Sequence, residues 1–180
     1  MIVRGAEVFG ELGFEERDIF IDGEFISDSG KGAVLNADGC FAIPGLIDVH
    51  IHGCVRGEFT SADRGAIGGM AGYEASRGIT AICPTTLTLS EERLAEACGE
   101  ISRCETPDGA AIVGVYLEGP FVSPKKLGAQ NPKYVRSPDT ALFRRLQEAS
   151  GGTVKFLAIA PELEGALDVI AELREETVCS

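Results

Sequence analysis

The sequence predicts an α/β protein: a partial TIM-type (β/α)8 barrel of about four to five β-α units, preceded by a small antiparallel β domain. Three observations carry this expectation. Short β-prone pieces fill residues 1–43; apolar strands then alternate with helical patterns over residues 44–180; and the residue types that bind metals fall where those strands end. A strand followed by a helix and then another strand builds a parallel sheet, and in a β/α barrel the C-terminal strand ends form the active-site face.

Each element has a local reason. Residues 1–43 read as a β-sandwich-like domain from Ile2-Val3, Val8-Phe9 and the run Asp18 to Ile26, in which Asp22-Gly23 is the signal of a type I′ hairpin. Residues 44–180 read as strand Leu46–Ile51, helix Thr60–Ser76, strand Ile79–Pro84, helix Ser90–Cys104, strand Ala111–Leu117, helix Asp139–Ala149, strand Val154–Ala160 and helix Glu164–Arg174. A further β-prone run begins at Thr177. Thr88-Leu-Ser-Glu91 has the spacing of a capping box, and Ser137-Pro138-Asp139 puts a proline where a first helical turn accepts one. The strands are nearly continuous apolar runs, as a sheet buried on both faces requires. A complete barrel has eight strands and typically ~250 residues, so these 180 residues are expected to be the first half of one, with a smaller open sheet as the alternative.

Composition excludes several functions. With 44% apolar and 24% charged residues the chain can bury a core. A net charge of −12 argues against a nucleic-acid partner, because neutralising phosphates needs clustered cations and the one small basic group is Lys125, Lys126, Lys133 and Arg136. No apolar run approaches the ~20 residues that span a bilayer, and the opening Met-Ile-Val-Arg lacks a signal core. No membrane partner and a cytoplasmic location are expected. Six cysteines without a C-x-x-C pair suit buried free thiols better than a zinc site or disulfides. A half barrel leaves an open edge strand and uncovered apolar faces, hence an expected homo-oligomer.

The chemistry concentrates in two places. Pro44-Gly-Leu-Ile-Asp-Val-His-Ile-His-Gly53 ends an apolar strand in His50 and His52, the only histidines of the chain. Residues two apart share a strand face, so His50, His52 and Asp48 project together, and two imidazoles on one face suit a divalent metal. Alone, such a pair is as well explained by surface or hydrogen-bonded core histidines. Downstream, Tyr116-Leu-Glu-Gly-Pro-Phe121 places Glu118 between an apolar strand and a turn made by Gly119-Pro120. A metal ligand or catalytic acid fits that position, and so does an exposed loop carboxylate.

These motifs carry a resemblance. Pro44 to Gly53 resembles the first-strand motif of the amidohydrolase superfamily, and Leu117-Glu-Gly-Pro-Phe121 with Lys125-Lys-Leu-Gly-Ala-Gln-Asn-Pro132 is similar to the metal-ligand strand and following loop of the N-acetylglucosamine-6-phosphate deacetylases. Gly78 to Leu87 and Leu157 to Glu162 support it in order along the chain. The resemblance implies hydrolysis of an amino-sugar phosphate by metal-activated water, with zinc as the first choice of divalent metal and iron, manganese or cobalt as others. It implies Glu118 as the carboxylate ligand, His50 and His52 at a second metal position, and substrate contacts at Ala129 and Gln130, the latter standing where the family usually has a histidine. Two later histidine ligands and an acid/base aspartate would lie beyond Ser180, so no catalytic residue is expected within this chain, which is expected to be inactive by itself. Another amidohydrolase, opening a cyclic amide, a non-catalytic binding remnant and an open-sheet metal-binding protein are the alternatives.

Overall fold

Apolar residues in Ile2–Gly10 (β1) and Gly13–Asp22 (β2) pair antiparallel, from Ile2 opposite Phe20 to Gly10 opposite Gly13, in a computed structural model that describes residues 1–180. The ladder slips between Val3 and Ala6, where Gly5 takes φ +72° and donates its N–H to Asp18 Oδ1 at 3.1 Å. Phe25–Ser27 (β3) continues antiparallel to β2, with Asp22 opposite Phe25. Gly23 and Glu24 are therefore the two loop residues. Only Gly23 has positive φ, +61°, which fits a type II′ turn and corrects the expected type I′, since I′ would force left-handed backbone on Glu24 as well.

The β domain is also not purely antiparallel. A link containing Gly30 and Gly32 returns the chain to the start of β1, so Val34–Asn36 (β4) and Phe41–Ala42 (β5) both join β1 in parallel. The core of this unit is small: Ala6, Val8 and Ala37, with Val3, Ile19 and Ala42 against them. It spans Met1–Gly45, and a second unit spans Leu46–Ser180, dividing the chain two residues beyond the boundary expected after residue 43.

In the second unit six strands run parallel: Leu46–Ile51 (β6), Ile79–Thr86 (β7), Ala111–Ile112 (β8), Val115–Glu118 (β9), Val154–Ala158 (β10) and Val178–Cys179 (β11). Their order is β11-β10-β9-β7-β6, with β8 beside β7. Strands thus follow one another across the sheet in chain order, and all their C-terminal ends lie at one end. The helices Arg64–Ala75 (α1), Glu91–Ser102 (α2), Thr140–Ala149 (α3) and Ala166–Leu173 (α4) bury Ile67 and Met70, Leu94 and Ile101, Phe143 and Leu146, and Val169 and Leu173 in one core with Ile82, Val115, Leu117, Val154 and Leu157. No helix is long and apolar enough to cross a membrane.

Several boundaries depart from the sequence expectation for identifiable reasons. The helix expected over Thr60–Ser76 is a 3-10 turn, Phe59–Ser61, then a break at Ala62 (φ +60°), then α1, whose cap Asp63 accepts the Ala66 N–H at 3.1 Å. The strand expected over Ala111–Leu117 breaks at Val113-Gly114, where a Cβ on Gly114 would lie 2.9 Å from the Thr153 carbonyl oxygen. The cap of α2 is Ser90 rather than Thr88, and that of α3 is Asp139, which accepts from Ala141 and Leu142 at 2.8 and 3.2 Å, with Pro138 one residue outside the helix. Burial on both faces holds for β7 from Ile82 onward but not for β6, an edge strand whose Ile47 is 64% exposed.

Candidate metal centre

Parallel neighbours in a sheet lie about 4.7–4.9 Å apart, so β6 and β9, with β7 between them, hold their backbones roughly twice that distance from each other. Side chains leaning over the end of β7 can therefore meet. They do: His52 Nε2 lies 2.7 Å from Glu118 Oε2, His50 Nε2 lies 3.1 Å from the same oxygen, and the two Nε2 atoms are 3.3 Å apart. All three side chains are partly open to solvent. Asp48, expected to project with the histidines, bends back instead and accepts the His50 N–H on Oδ1 at 3.0 Å, so it stays out of the cluster.

The protonation pattern is set by the groups behind. Thr85, at the end of β7, receives the Ile51 N–H on Oγ1 at 3.0 Å, and its carbonyl oxygen lies 3.3 Å from His52 Nδ1. A carbonyl can only accept, so Nδ1 carries the hydrogen and a neutral His52 presents a lone pair on Nε2. That lone pair faces the oxygen lone pairs of Glu118, with the Nε2 of His50 beside both. One shared proton satisfies a single such contact, whereas a divalent cation satisfies all three. The donor set of two imidazoles and one carboxylate suits zinc and its neighbours, and the residues therefore fit the group. Cys54, two residues after His52, lies outside the cluster: its Sγ points to the Met70 carbonyl oxygen at 3.8 Å, and burial, then the hydrogen bond and negative charge of Glu74, push its thiol up to about 11.

Other residues hold this geometry. The Tyr116 ring, two residues before Glu118 on β9, packs edge-on against His50 at 4.7 Å between centroids, and its hydroxyl is 2.6 Å from Ser180 Oγ. Gly119 has φ +97°, and a Cβ there would overlap Thr88 Oγ1, which donates to the Glu118 carbonyl oxygen at 3.3 Å. Gly53, next to His52, passes so close to the backbone of Gly57 and Glu58 that a Cβ has no room. Ala129 is exposed in the loop after β9, whereas Gln130 is buried and accepts the Thr88 N–H on its side-chain oxygen at 2.6 Å. Thr85, Thr88 and Tyr116 were not among the expected site residues. For Thr85 a signal exists in the sequence, since it and Thr86 close the apolar run Ile79–Thr86 and are polar groups the sheet would bury only with a purpose; Thr88, beyond that run, and Tyr116, on another strand, carry no such mark.

Comparison with known proteins gives the arrangement a context. No protein-family model matches the chain. Among curated proteins it is 32% identical over 141 residues to the N-acetylglucosamine-6-phosphate deacetylase of Bacillus subtilis (strain 168), covering 76% of this chain and 36% of the relative. It is also 32% identical to the enzyme of that name from Bos taurus over 98% of this chain and 42% of the relative. The N-acetylgalactosamine-6-phosphate deacetylase of Escherichia coli O157:H7 is 32% identical over 81% of this chain and 39% of the relative. Among solved structures, N-acetyl-D-glucosamine-6-phosphate deacetylase from Mycobacterium smegmatis superposes with a TM-score of 0.86 at 28% identity, over 99% of this chain and 53% of that one. The chain spans less than half the length of the curated relatives it matches. By sequence and by fold, it belongs as a partial-length homologue to the N-acetylglucosamine-6-phosphate deacetylase family.

Proposed function

We propose that this chain is the part of an N-acetylhexosamine-6-phosphate deacetylase that supplies His50, His52 and Glu118 to a divalent metal, on the first strands of a (β/α)8 barrel. The observation that carries the reading is the convergence of three lone-pair atoms, within 4.8 Å of one another, at the C-terminal ends of β6 and β9. Active sites of β/α barrels form on that face. When bound there, the metal would supply Lewis acidity toward an amide carbonyl and a bound water of lowered pKa. The chain's own residues do the rest that is visible: Thr85 holds the His52 tautomer, Glu118 brings the neutralising charge, and Tyr116 limits the His50 ring. Zinc is the first candidate on donor type, ahead of iron, manganese and cobalt.

The substrate in this reading is N-acetylglucosamine 6-phosphate, cleaved to glucosamine 6-phosphate and acetate. One observation favours keeping the galacto epimer as a second reading: the relative named for N-acetylgalactosamine 6-phosphate is as similar to this chain as those named for the gluco sugar. Ala129 and Gln130 are the proposed contacts; the Gln130 oxygen already accepts the Thr88 N–H, which leaves its NH2 group and one oxygen lone pair for the sugar. The test is calorimetric. The chain should bind zinc with one dominant transition, the Glu118→Gln variant should lose it, and the zinc-loaded chain should take up one of the two sugar phosphates in preference to its epimer. Zinc binding unchanged in Glu118→Gln would refute the assignment.

A further inference from the structure

Gln130, Thr88 and Glu118 form a continuous chain of contacts. The buried Gln130 side chain accepts the Thr88 N–H at 2.6 Å, and because an N–H can only donate, the atom at that position is Oε1 and the amide orientation is fixed. Thr88, 1% exposed, passes the constraint on: its Oγ1 donates to the carbonyl oxygen of Glu118 at 3.3 Å. Gly119 makes the approach achievable, since any Cβ would occupy the space of that hydroxyl. Thr88 is not the cap of α2, which is Ser90, so its hydroxyl and N–H are spent on β9 and the following loop rather than on its own helix.

Building on the metal reading above, we propose that Gln130 and Thr88 are positioning residues: together they lock the backbone of Glu118 so that its carboxylate stays against His50 and His52. Gln130 stands 12 residues after Glu118, in the loop that follows the strand, so the brace ties that loop to the backbone of the metal ligand. The geometry is that of a supporting contact behind a metal ligand, of the kind whose loss typically costs 10–100-fold in metal affinity.

The experiment compares Thr88→Val, which keeps the shape and loses the hydroxyl, Thr88→Ser, which keeps the hydroxyl, and Gln130→Met, which keeps length and loses the acceptor. Two readouts are taken on the full chain. Zinc affinity by competition should fall at least tenfold in Thr88→Val and Gln130→Met, and stay within about threefold in Thr88→Ser. In the metal-free chain, the Nε2 nitrogen resonances of His50 and His52 at fixed pH should move in Thr88→Val and Gln130→Met and stay in place in Thr88→Ser. Folded spectra are required of every variant. A role confined to folding would lower the melting temperature of the variants while leaving zinc affinity and the imidazole resonances of the folded fraction unchanged, and that result overturns the proposal. If the unaltered chain binds no zinc, the metal reading fails by itself, and the imidazole resonances still decide whether the brace holds Glu118.

Discussion

Replacing Gly119 by alanine tests whether the turn after Glu118 is built around the absence of a side chain. Two costs follow from the structure. The backbone sits at φ +97°, and left-handed geometry costs an L-residue about 1–2 kcal/mol. The new Cβ also falls on Thr88 Oγ1, so the threonine must rotate and give up its hydrogen bond to the Glu118 carbonyl, about 0.5–1.5 kcal/mol. Together these amount to about 1.5–3.5 kcal/mol, or roughly 5–12 °C in the melting temperature of the Leu46–Ser180 unit. Gly151→Ala is the control: its φ is +67° with nothing within 4 Å of an added Cβ, so only the backbone cost applies, about 1–2 kcal/mol. Thermal melts followed by circular dichroism should rank the unaltered chain above Gly151→Ala and that above Gly119→Ala, and only Gly119→Ala should weaken zinc binding. Equal destabilisation by the two substitutions, with zinc binding intact in both, would refute the reasoning.

Three further outcomes are expected. Cys83 and Cys98 are buried, which pushes each thiol up to about 12, so iodoacetamide at pH 8 should alkylate the exposed Cys40 and leave both untouched until the chain unfolds; modification of Cys83 in the native chain would contradict the burial. Arg64 first, and then Arg103, hold the Glu100 carboxyl down to about 2, against about 4.3 when unfolded. This depressed pKa contributes stability that is present above about pH 4.3 and is lost as pH falls toward 2, so Glu100→Gln should flatten the melting-temperature slope in that window, less so in high salt because the pair is exposed; an unchanged slope would count against the pairing. The edge strand β6 carries exposed Leu46, Ile47 and Val49, and sedimentation velocity should show self-association that Ile47→Lys reduces; a monomer at every concentration would contradict it.

How much was legible in the sequence depended on the range of the physics. The alternation of apolar strand and amphipathic helix after Leu46 is local, and the parallel order follows from it. The breaks at Ala62 and Gly114 were not legible, because each answers to a tertiary contact or a turn that periodicity does not encode: Gly114 lies against Thr153, 39 residues away. The parallel entry of β4 and β5 onto β1 depends on a return link whose path local propensity leaves open. The cap of α2 sits at Ser90, two residues past the Thr88 that the capping-box spacing singles out, because two hydroxyl residues compete there. At the site, strand parity placed His50 and His52 on one side, but parity alone also placed Asp48 there, and the local hydrogen bond to the His50 N–H drew it away. The roles of Thr85, near the end of β7, and of Thr88, two residues past it, depend on β6 and β9 flanking that strand, a tertiary relation that burial of a polar residue marks at Thr85 without naming its partners.

Anomalous scattering at the zinc edge, from crystals of the zinc-loaded chain, tests the central claim most directly. The account predicts one strong peak at ligand distance, roughly 2.0–2.2 Å, from Nε2 of His50, Nε2 of His52 and a carboxylate oxygen of Glu118. It also predicts that the His52 Nδ1–H still points at the Thr85 carbonyl. A peak elsewhere in the chain, with His52 and Glu118 still in direct contact, would contradict it.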